Sequence, residues 1–368
     1  MPLSDRVLMG PGPSNLYPEV ITALQKPLLG HLDPEFLELM DDACLRLRSV
    51  FRTGNAQTLP LSGTGSAGME AAFVNFVRPG DPVVIGVNGV FGNRMCDVAS
   101  RCGAEVVRVD APWGKPIDPE RLLAAHPSPS IIAVVHAETS TGVRNDVEPL
   151  GRAKGDALLL VDCVTSLGGI DVDVDGWGVD VAYSGTQKCL GVPPGLAPIT
   201  VSAAATERRV DTPRSWYLDL GMLGAYTGAA SGSPTRVYHH TAPITMITAL
   251  HAGLGAVLAE GLQASWTRHE ECGRSLQKGL EELGFELFAP EGHRLPQLTT
   301  VLIPDGLLPS GSNEAEVRRV LLDRYGIEIG GGLGDYAGRM WRIGCMGHTA
   351  RARNVVLLLG ALAEVLGR

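Results

Sequence analysis

The chain has 368 residues, which suits one large and one small domain better than a single ordinary domain. Hydrophobic residues make up 45% of it and charged residues 19%, as in globular proteins with a sizeable core. A net charge of -9 and an isoelectric point near 5.5 argue against a general nucleic-acid-binding protein.

Neither a targeting segment nor a membrane span is expected. The N-terminal residues contain no long apolar stretch, and no apolar run reaches the roughly 20 residues that a bilayer requires. The seven cysteines form no C-x-x-C pair and no metal-binding spacing, which is typical of reduced thiols. We therefore expect a cytoplasmic protein without a membrane or nucleic-acid partner and without a metal site.

In chain order, the pattern predicts an N-terminal arm followed by a large α/β domain. Residues 1–20 are rich in Pro and Gly and are expected to be extended. Helical spacing follows at Phe36–Val50 and at Gly68–Val77. Short apolar runs then alternate with helical stretches or turns, which favours a mostly parallel sheet covered on both faces. The expected strands are Val83–Val87, Glu105–Val109, Ile131–His136, Leu158–Val161, Val179–Ser184 and Pro198–Val201.

The rest of the chain is predicted to end in a smaller α/β domain. A long helical region runs from Thr241 to Leu283, and strands are expected near Leu298–Ile303 and Met340–Ile343. A last helix is expected over Ala350–Leu366. We assign residues 21–255 to the large domain and 256–368 to the small C-terminal domain, with the boundary inside a helix.

A lysine follows the predicted strand that ends at Ser184. Lys188 lies in a small, polar turn, and Pro193–Gly195 keeps the backbone after it irregular. A lysine at the carboxyl end of a strand faces the crevice where open α/β sheets bind ligands. Its amine can form a Schiff base where burial and neighbouring charge lower its pKa.

An aspartate closes the apolar strand Leu158–Val161. A buried carboxylate in such a place needs a cationic partner, and a protonated pyridine nitrogen is one. Asp162 precedes Lys188 by 26 positions, which leaves room for one further strand and its connection. Both residues are therefore expected at the same edge of the sheet.

A glycine-rich turn precedes the helix predicted at Gly68–Val77. The segment Ser62–Ser66 places free N–H groups at a helix N-terminus, where a phosphate can bind. It matches neither the Walker pattern nor G-x-G-x-x-G, and no run of clear strand character precedes it. Taken alone, the turn is more often structural than a phosphate site.

Together these segments resemble the class V aminotransferases of the alanine–glyoxylate and serine–glyoxylate type. The similarity extends over almost the whole chain and follows one order. Its motifs are Gly10–Asn15, Gly30-His31, Ser62–Ala71, Asn88-Gly89 with Gly92, Glu138–Gly142, Asp162–Gly169, Ser184–Lys188, Tyr238–Thr241, Gly330–Gly334 and Arg342–Gly344.

The resemblance implies the pyridoxal-phosphate-dependent transferase fold of type I, with a seven-stranded sheet, and pyridoxal 5′-phosphate as cofactor. Lys188 would carry the cofactor as a Schiff base and move the substrate's proton, and Asp162 would pair with the pyridinium nitrogen. The remaining cofactor-binding positions that it implies are Thr64, Gly65, Ser66, Phe91, Thr139, Val164, Gln187, Tyr238 and Thr241. Tyr238 and Thr241 would serve the neighbouring subunit of a homodimer. Gly12 and Arg342 would bind the substrate, Arg342 through its carboxylate.

Two positions depart from the family pattern. Phe91 stands where the stacking aromatic is often Trp, and Ser66 stands where animal relatives carry His. Both leave the cofactor assignment in place and leave the substrate preference open. The adjacent pair His239-His240 is not expected to hold a metal, because neighbouring residues seldom ligate one ion.

The expected reaction transfers an amino group from alanine or serine to glyoxylate or pyruvate in two half-reactions with ping-pong kinetics. Three alternatives stay open. The donor could be another amine, such as aspartate, pyridoxamine or a ureidoglycine-like compound. The protein could be a lyase or a cysteine desulfurase, for which Cys345 would be the candidate nucleophile. It could also be a binding protein that has lost its chemistry, against which the presence of both Lys188 and Asp162 argues.

Overall fold

A mixed sheet of seven strands forms the centre of the protein in the computed structural model, which describes residues 4–228 and 236–368. The first three residues of the expected arm lie outside that range. In chain order the strands are β1 Val7–Leu8, β2 Gln57–Ser62, β3 Pro82–Val87, β4 Glu105–Asp110, β5 Ile131–Val135, β6 Ala137–Glu138, β7 Val143–Arg144, β8 Leu158–Asp162, β9 Val181–Tyr183, β10 Leu196–Val201, β11 Glu286–Leu287, β12 Leu298–Leu302, β13 Ile327–Glu328, β14 Gly330–Gly331 and β15 Met340–Gly344.

Helices cover this sheet and complete the smaller C-terminal unit. In chain order they are α1 Pro18–Ala23, α2 Pro34–Phe51, α3 Gly65–Phe76, α4 Val90–Arg101, α5 Pro119–Ala124, α6 Glu148–Ala153, α7 Ala203–Glu207, α8 Leu220–Thr227, α9 Ile244–Glu260, α10 Leu262–Glu282, α11 Glu314–Tyr325 and α12 Ala352–Val365. Within the described ranges, no single helix is long and apolar enough to cross a membrane. The bent pair α9 and α10 meets that length and composition only when its two halves are taken together.

The large sheet has the strand order β2-β10-β9-β8-β5-β3-β4. Its pairs are parallel except at β10, which runs antiparallel to both β2 and β9. The prediction of an α/β fold with a mostly parallel seven-stranded sheet and a smaller C-terminal α/β unit is therefore confirmed.

Alternate side chains of each central strand enter two different cores. In β5, Ile132 and Val134 pack with the helices on one face, while Ile131, Ala133 and Val135 pack on the other. Because both faces are covered, the strand sequence is an unbroken apolar run rather than an alternating one. The carboxyl ends of the parallel strands β5, β8 and β9 then meet at one edge, where polar residues follow each strand.

The expectation that no strand precedes the glycine-rich turn was wrong. Strand β2 runs through Pro60 and pairs antiparallel with β10 at the end of the sheet. Because Pro60 has no backbone N–H to donate to a neighbouring strand, the sequence pattern did not indicate a strand here. An edge strand tolerates the loss of that hydrogen bond.

The predicted helical region from Thr241 to Leu283 is interrupted. It forms the separate helices α9 and α10, which meet at an angle of 84°. Gly261 joins them with a φ of 88°, a conformation that suits glycine and that ends α9. The apolar periodicity continues on both sides of the break, which is why the pattern alone did not show it.

The C-terminal unit has its own four-stranded sheet, in the order β11-β12-β15-β14, and its own core around Trp341. The N-terminal arm joins this unit, because β1 pairs in parallel with β13 and Met9 enters the same core. Val257 of α9 packs in the core of the large sheet, whereas Cys272 of α10 packs in that of the small one. The division of the chain after residue 255, which falls within α9, stays a prediction.

We expect Gly151→Ala to destabilise the fold by about 1–3 kcal/mol, the usual range for overpacking. A Cβ at Gly151 would lie 1.6 Å from the backbone carbonyl oxygen of Trp177, so the two segments must separate. Gly360→Ala in α12 is the matched control, because a Cβ there meets nothing within 4 Å. That change should stabilise by about 0.5–1 kcal/mol through helix propensity. Thermal unfolding measures both, and equal midpoints for the two variants would contradict the packing found at Gly151.

Candidate active site

Two neighbouring parallel strands end side by side at the centre of the large sheet. Asp162 is the last residue of β8, and its register partner on β9 is Tyr183. Lys188 follows Tyr183 after a turn of four residues. The sequence expectation that Asp162 and Lys188 reach the same sheet edge agrees with this geometry.

The carboxylate of Asp162 is almost completely buried and is held from two sides. Its Oδ1 accepts a hydrogen bond from the backbone N–H of Val164 at 2.8 Å, and its Oδ2 accepts one from the Tyr183 hydroxyl at 2.8 Å. Burial raises the pKa of Asp162 to about 6, against the lowering effect of these two donors. The charge is thus kept in an apolar setting, where a cation would be a favourable partner.

The N-terminal arm lies across the Lys188 turn. Lys188 Nζ donates to the carbonyl of Pro11, and the Ser14 hydroxyl donates to the carbonyl of Lys188 at 2.7 Å. Gly12 touches the same side chain so closely that an added Cβ would lie 2.5 Å from Nζ, and its φ of 109° suits glycine. The arm therefore sets the position of the lysine amine.

Lys188 is mostly shielded from solvent. Burial, and secondly the positive charge of Arg342, lower the pKa of Lys188 to about 8. A neutral, nucleophilic amine is therefore available close to neutral pH, which is what covalent chemistry on a carbonyl requires.

A cavity opens between these groups. The residues that line it are Thr64, Gly65, Ser66, Met69, Phe91, Arg94, Val135, Ala137, Thr139, Asp162, Val164, Thr165, Gln187 and Lys188. Nine of the thirteen cofactor and substrate positions suggested by the sequence are among them.

One end of the cavity suits an anion. Helix α3 begins there at Gly65, after an N-cap, Thr64, whose side chain makes no capping hydrogen bond. Its free N–H groups and dipole favour negative charge. Arg94 adds a cation, since its Nη1 lies 3.1 Å from Ser66 Oγ. Gln187 also lines the cavity, and the NH₂ group of its side chain can donate to an anion.

Phe91 and Val164 supply apolar cavity wall. The guanidinium of Arg94 lies 4.9 Å from the Phe91 ring centroid, which is within cation–π range. Val164 Cγ2 would lie only 2.7 Å from a Cβ on Gly65, so the glycine allows the helix to start against this side chain.

Arg342 comes from the C-terminal unit, on β15, and is not among the cavity-lining residues. Its Nε donates to the Gly331 carbonyl at 2.8 Å, which fixes the base of the guanidinium. Burial lowers the pKa of Arg342, and its charge acts on Lys188. The arginine therefore stands beside the cavity, on the side of the small unit.

Tyr238 and Thr241 do not reach the cavity of their own chain. Both side chains are exposed, and the Tyr238 ring packs at 5.3 Å from that of His31. The neighbouring His240 Nε2 lies 2.9 Å from Ser62 Oγ at the end of β2. In the described part of the chain, no three side chains form a metal-binding group.

Sequence reasoning missed three residues of this site. Tyr183 was visible only as the end of a strand, and its contact with Asp162 depends on the register of β8 and β9. Glu138 was noted within a motif without a role. Arg94 carried no signal in the sequence beyond its place three residues after Phe91.

We expect the amine of Lys188 in the ligand-free protein to become reactive with a midpoint near pH 8. Burial and Arg342 lower its pKa to about 8, so the neutral form appears earlier than in an ordinary lysine. Carbamylation by cyanate at a series of pH values, followed by peptide mass spectrometry, measures the midpoint. Arg342→Gln should move it to higher pH. A midpoint above pH 10 in the wild-type protein would contradict the burial of the amine.

Known proteins match this chain over nearly its whole length. A family model described as Aminotransferase class-V matches residues 6–345. The alanine–glyoxylate aminotransferase of Drosophila melanogaster is 40% identical over 370 residues, which cover 98% of this chain and 92% of that protein. The (S)-ureidoglycine–glyoxylate transaminase of Bacillus subtilis (strain 168) is 37% identical over 388 residues, covering 99% and 91%.

The fold agrees with these matches. The crystal structure of the alanine–glyoxylate aminotransferase from Nostoc sp. superposes with a TM-score of 0.94 at 46% identity, covering 100% of this chain and 96% of that one. The resemblance noted in the sequence, including the type I fold, is thereby confirmed. The chain belongs to the class V aminotransferases and is an aminotransferase.

Proposed function

We propose that the protein uses pyridoxal 5′-phosphate to move an amino group from a small L-amino acid, alanine or serine, to glyoxylate or pyruvate. The observation that carries the proposal is the placement of Lys188 and Asp162 at one sheet edge, on one cavity. The two residues supply a nucleophilic amine and a buried anion, which are the two groups that this cofactor requires.

The cavity fits the cofactor at three points. The amine of Lys188, with its pKa lowered to about 8, suits the aldehyde group. Among the described residues the buried carboxylate of Asp162 forms no ion pair, and it suits the ring nitrogen. Thr64, Ser66 and Gln187 line the cavity beside a helix N-terminus that suits the phosphate.

When bound, the cofactor supplies an electron-withdrawing ring that accepts the electron pair left when a substrate proton is removed. Asp162 supports this by favouring a protonated ring nitrogen. Phe91 and Val164 give the ring apolar neighbours, and Thr139 lies on the same cavity wall. Pairing of the carboxylate with a cation would also bring the pKa of Asp162 back down.

Lys188 has two tasks in the proposed reaction. Its amine attaches the cofactor between turnovers, and after displacement by the substrate it takes the α-proton and returns it as a general acid. A pKa lowered to about 8 suits both directions of proton transfer near neutral pH. Pro11, whose carbonyl accepts a hydrogen bond from Nζ, and Gly12 hold the amine in place.

Arg342 is proposed to bind the substrate carboxylate. Among the described residues its terminal nitrogens make no hydrogen bond, because only Nε is used by Gly331. A planar pair of donors matches a carboxylate in two-point contact. Together with Gly12 and Phe91 it leaves a compact site, which favours small substrates.

A second candidate donor has specific support. The 37% identical relative from Bacillus subtilis is named for (S)-ureidoglycine and glyoxylate, and it covers the chain as fully as the relative named for alanine and glyoxylate does. Lys188 and Asp162 would serve either donor, so a ureidoglycine-like amine is the runner-up. A desulfurase has less support, since Cys345 is fully buried and burial raises its pKa well above the usual range.

We also propose that the protein works as a homodimer with shared sites. Six large apolar side chains are exposed in the single chain, on segments that carry the Tyr238–Thr241 motif, pack against it or follow α1. They are Leu28, Leu32, Trp216, Tyr217, Val237 and Tyr238. A second copy could cover them, and in such a dimer Tyr238 and Thr241 would serve the neighbouring subunit's phosphate site, as the family resemblance implies. A cytoplasmic location also stays a proposal.

Purified protein with pyridoxal phosphate should show a yellow absorption band that L-alanine or L-serine bleaches and glyoxylate restores. Lys188→Ala should lower turnover by at least about 100-fold, because it removes both the attachment and the proton carrier. Lys278→Ala is the control, since that side chain is 78% exposed and remote from the cavity.

The outcomes separate the donor from the cofactor. A yellow band that alanine and serine leave unchanged but a ureidoglycine-like amine bleaches would move the function to the runner-up. A protein that stays colourless with added pyridoxal phosphate would refute the cofactor proposal.

Mixing two inactive variants tests the shared site. Lys188→Ala is combined, by denaturation and refolding, with a chain carrying Tyr238→Ala and Thr241→Ala. If Tyr238 and Thr241 act across the interface, each hybrid dimer has one intact site, and activity should recover to about a quarter of wild type by random pairing. No recovery in a refolded mixture that contains hybrids would contradict a site shared between subunits. Refolded wild-type protein gives the reference.

A further inference from the structure

We propose that Glu138 is a positioning residue that holds Phe91 and Thr139 at the cavity wall. Glu138 does not line the cavity, but the residue after it does, and it contacts the backbone of Phe91 directly. The inference rests on the proposed function, since it concerns how the cofactor pocket is shaped.

The carboxylate of Glu138 joins two segments far apart in sequence. Oε2 accepts hydrogen bonds from the backbone N–H groups of Phe91 at 3.1 Å and Gly92 at 3.3 Å. Oε1 accepts from the backbone N–H of Ser140 at 3.0 Å and from its hydroxyl at 2.5 Å. Ser140 Oγ in turn accepts from the N–H of Val90 at 2.9 Å. Together, Glu138 and Ser140 accept hydrogen bonds from the first three backbone N–H groups of α4, those of Val90, Phe91 and Gly92.

These contacts replace an ordinary helix cap. Helix α4 begins at Val90 after Gly89, and no side chain at that N-cap position makes a capping hydrogen bond. The carboxylate of Glu138, at the end of β6, caps the helix instead. Its negative charge suits the positive end of the helix dipole. The first turn of α4, which carries Phe91, is thereby attached to the segment that carries Thr139.

The fit around Glu138 leaves no free space. A Cβ on Gly89 would lie 2.4 Å from the Glu138 carboxyl carbon and 2.3 Å from Ser140 Oγ. Glu138 itself is fully buried. The first turn of α4 can therefore shift relative to residues 138–140 only if these hydrogen bonds break.

The contacts require a carboxylate rather than any polar group. The atoms facing Glu138 are three N–H groups and one hydroxyl, and all four donate to it. A carboxylate accepts at both oxygens, whereas a glutamine amide accepts at one and turns an NH₂ group toward donors at the other. Glutamine matches glutamate in size, so Glu138→Gln tests the hydrogen bonding without creating a cavity.

The charge of Glu138 also acts on the substrate side. It raises the pKa of Arg342, against the burial that lowers it. Glu138 thus stands behind both the ring wall and the proposed carboxylate-binding arginine. Its removal should affect cofactor orientation first and substrate binding second.

The test compares Glu138→Gln with a matched buried carboxylate, Asp180→Asn. Asp180 accepts from the N–H of Leu159 at 2.8 Å and the Ser202 hydroxyl at 3.1 Å and pairs with Lys154, ahead of β9 and away from the cavity. Both variants should lower the thermal unfolding midpoint of the cofactor-free protein. Only Glu138→Gln should at least halve the visible circular dichroism per bound pyridoxal phosphate and speed its dissociation by about 10-fold or more.

A double variant tests whether Glu138 acts through the aromatic ring. In a Phe91→Ala background, the change Glu138→Gln should alter the visible circular dichroism much less than in the wild type, because the ring it positions is gone. If Glu138→Gln does not fold, Ser140→Ala takes its place, with a smaller effect in the same direction.

Glu138→Gln with wild-type circular dichroism and wild-type cofactor dissociation would overturn the inference, whatever its stability. So would equal effects of Glu138→Gln and Asp180→Asn on the cofactor signals. Wild-type protein that binds no pyridoxal phosphate would instead refute the proposed function, on which the inference rests.

Discussion

The active site depends on one buried charge at the end of an apolar strand. Asp162 follows four aliphatic residues, and the sheet that buries them also buries its carboxylate. Desolvation raises the pKa of Asp162 to about 6, even though the N–H of Val164 and the hydroxyl of Tyr183 favour the charged form. The carboxylate is therefore still mostly ionised at neutral pH, in a place where little but a bound cation could pair with it.

Lys188 experiences the same desolvation with the opposite sign, so that its amine loses its proton more easily. The pKa of Asp162 is raised and that of Lys188 is lowered, so both pKa values move toward neutral pH. This suits a site where protons must move in both directions. The N-terminal arm connects the environment of Lys188 to the C-terminal unit. Met9 is anchored in the core of the C-terminal unit, and two residues later Pro11 accepts the hydrogen bond of the lysine. The position of the small unit and the environment of Lys188 are therefore linked through a short piece of backbone.

The sequence was sufficient to predict the parts of the site that are encoded locally. Asp162 and Lys188 each follow a strand with clear apolar character, and the carboxyl ends of neighbouring parallel strands must share an edge. Strand β2 escaped notice because a proline obscures an edge strand, and the break at Gly261 because the apolar period continues through it. Glu138 was not predictable, since two of its partners are backbone N–H groups 46 and 47 positions earlier, and backbone groups leave no mark in the sequence.

The proposed catalytic pair, Lys188 and Asp162, does not identify the amino donor. Relatives named for alanine and for ureidoglycine match this chain almost equally well, and both donors need a proton carrier and a ring-nitrogen partner. The groups that could distinguish donors come from three other regions: Gly12 from the arm, Phe91 from α4 and Arg342 from β15. Their relative positions depend on the capping of α4, on the pairing of β1 with β13 and on the contact between Arg342 and Gly331. In the proposed reaction, donor selectivity would therefore depend on how the arm and the small unit pack against the large sheet, rather than on the strand ends proposed to hold the cofactor.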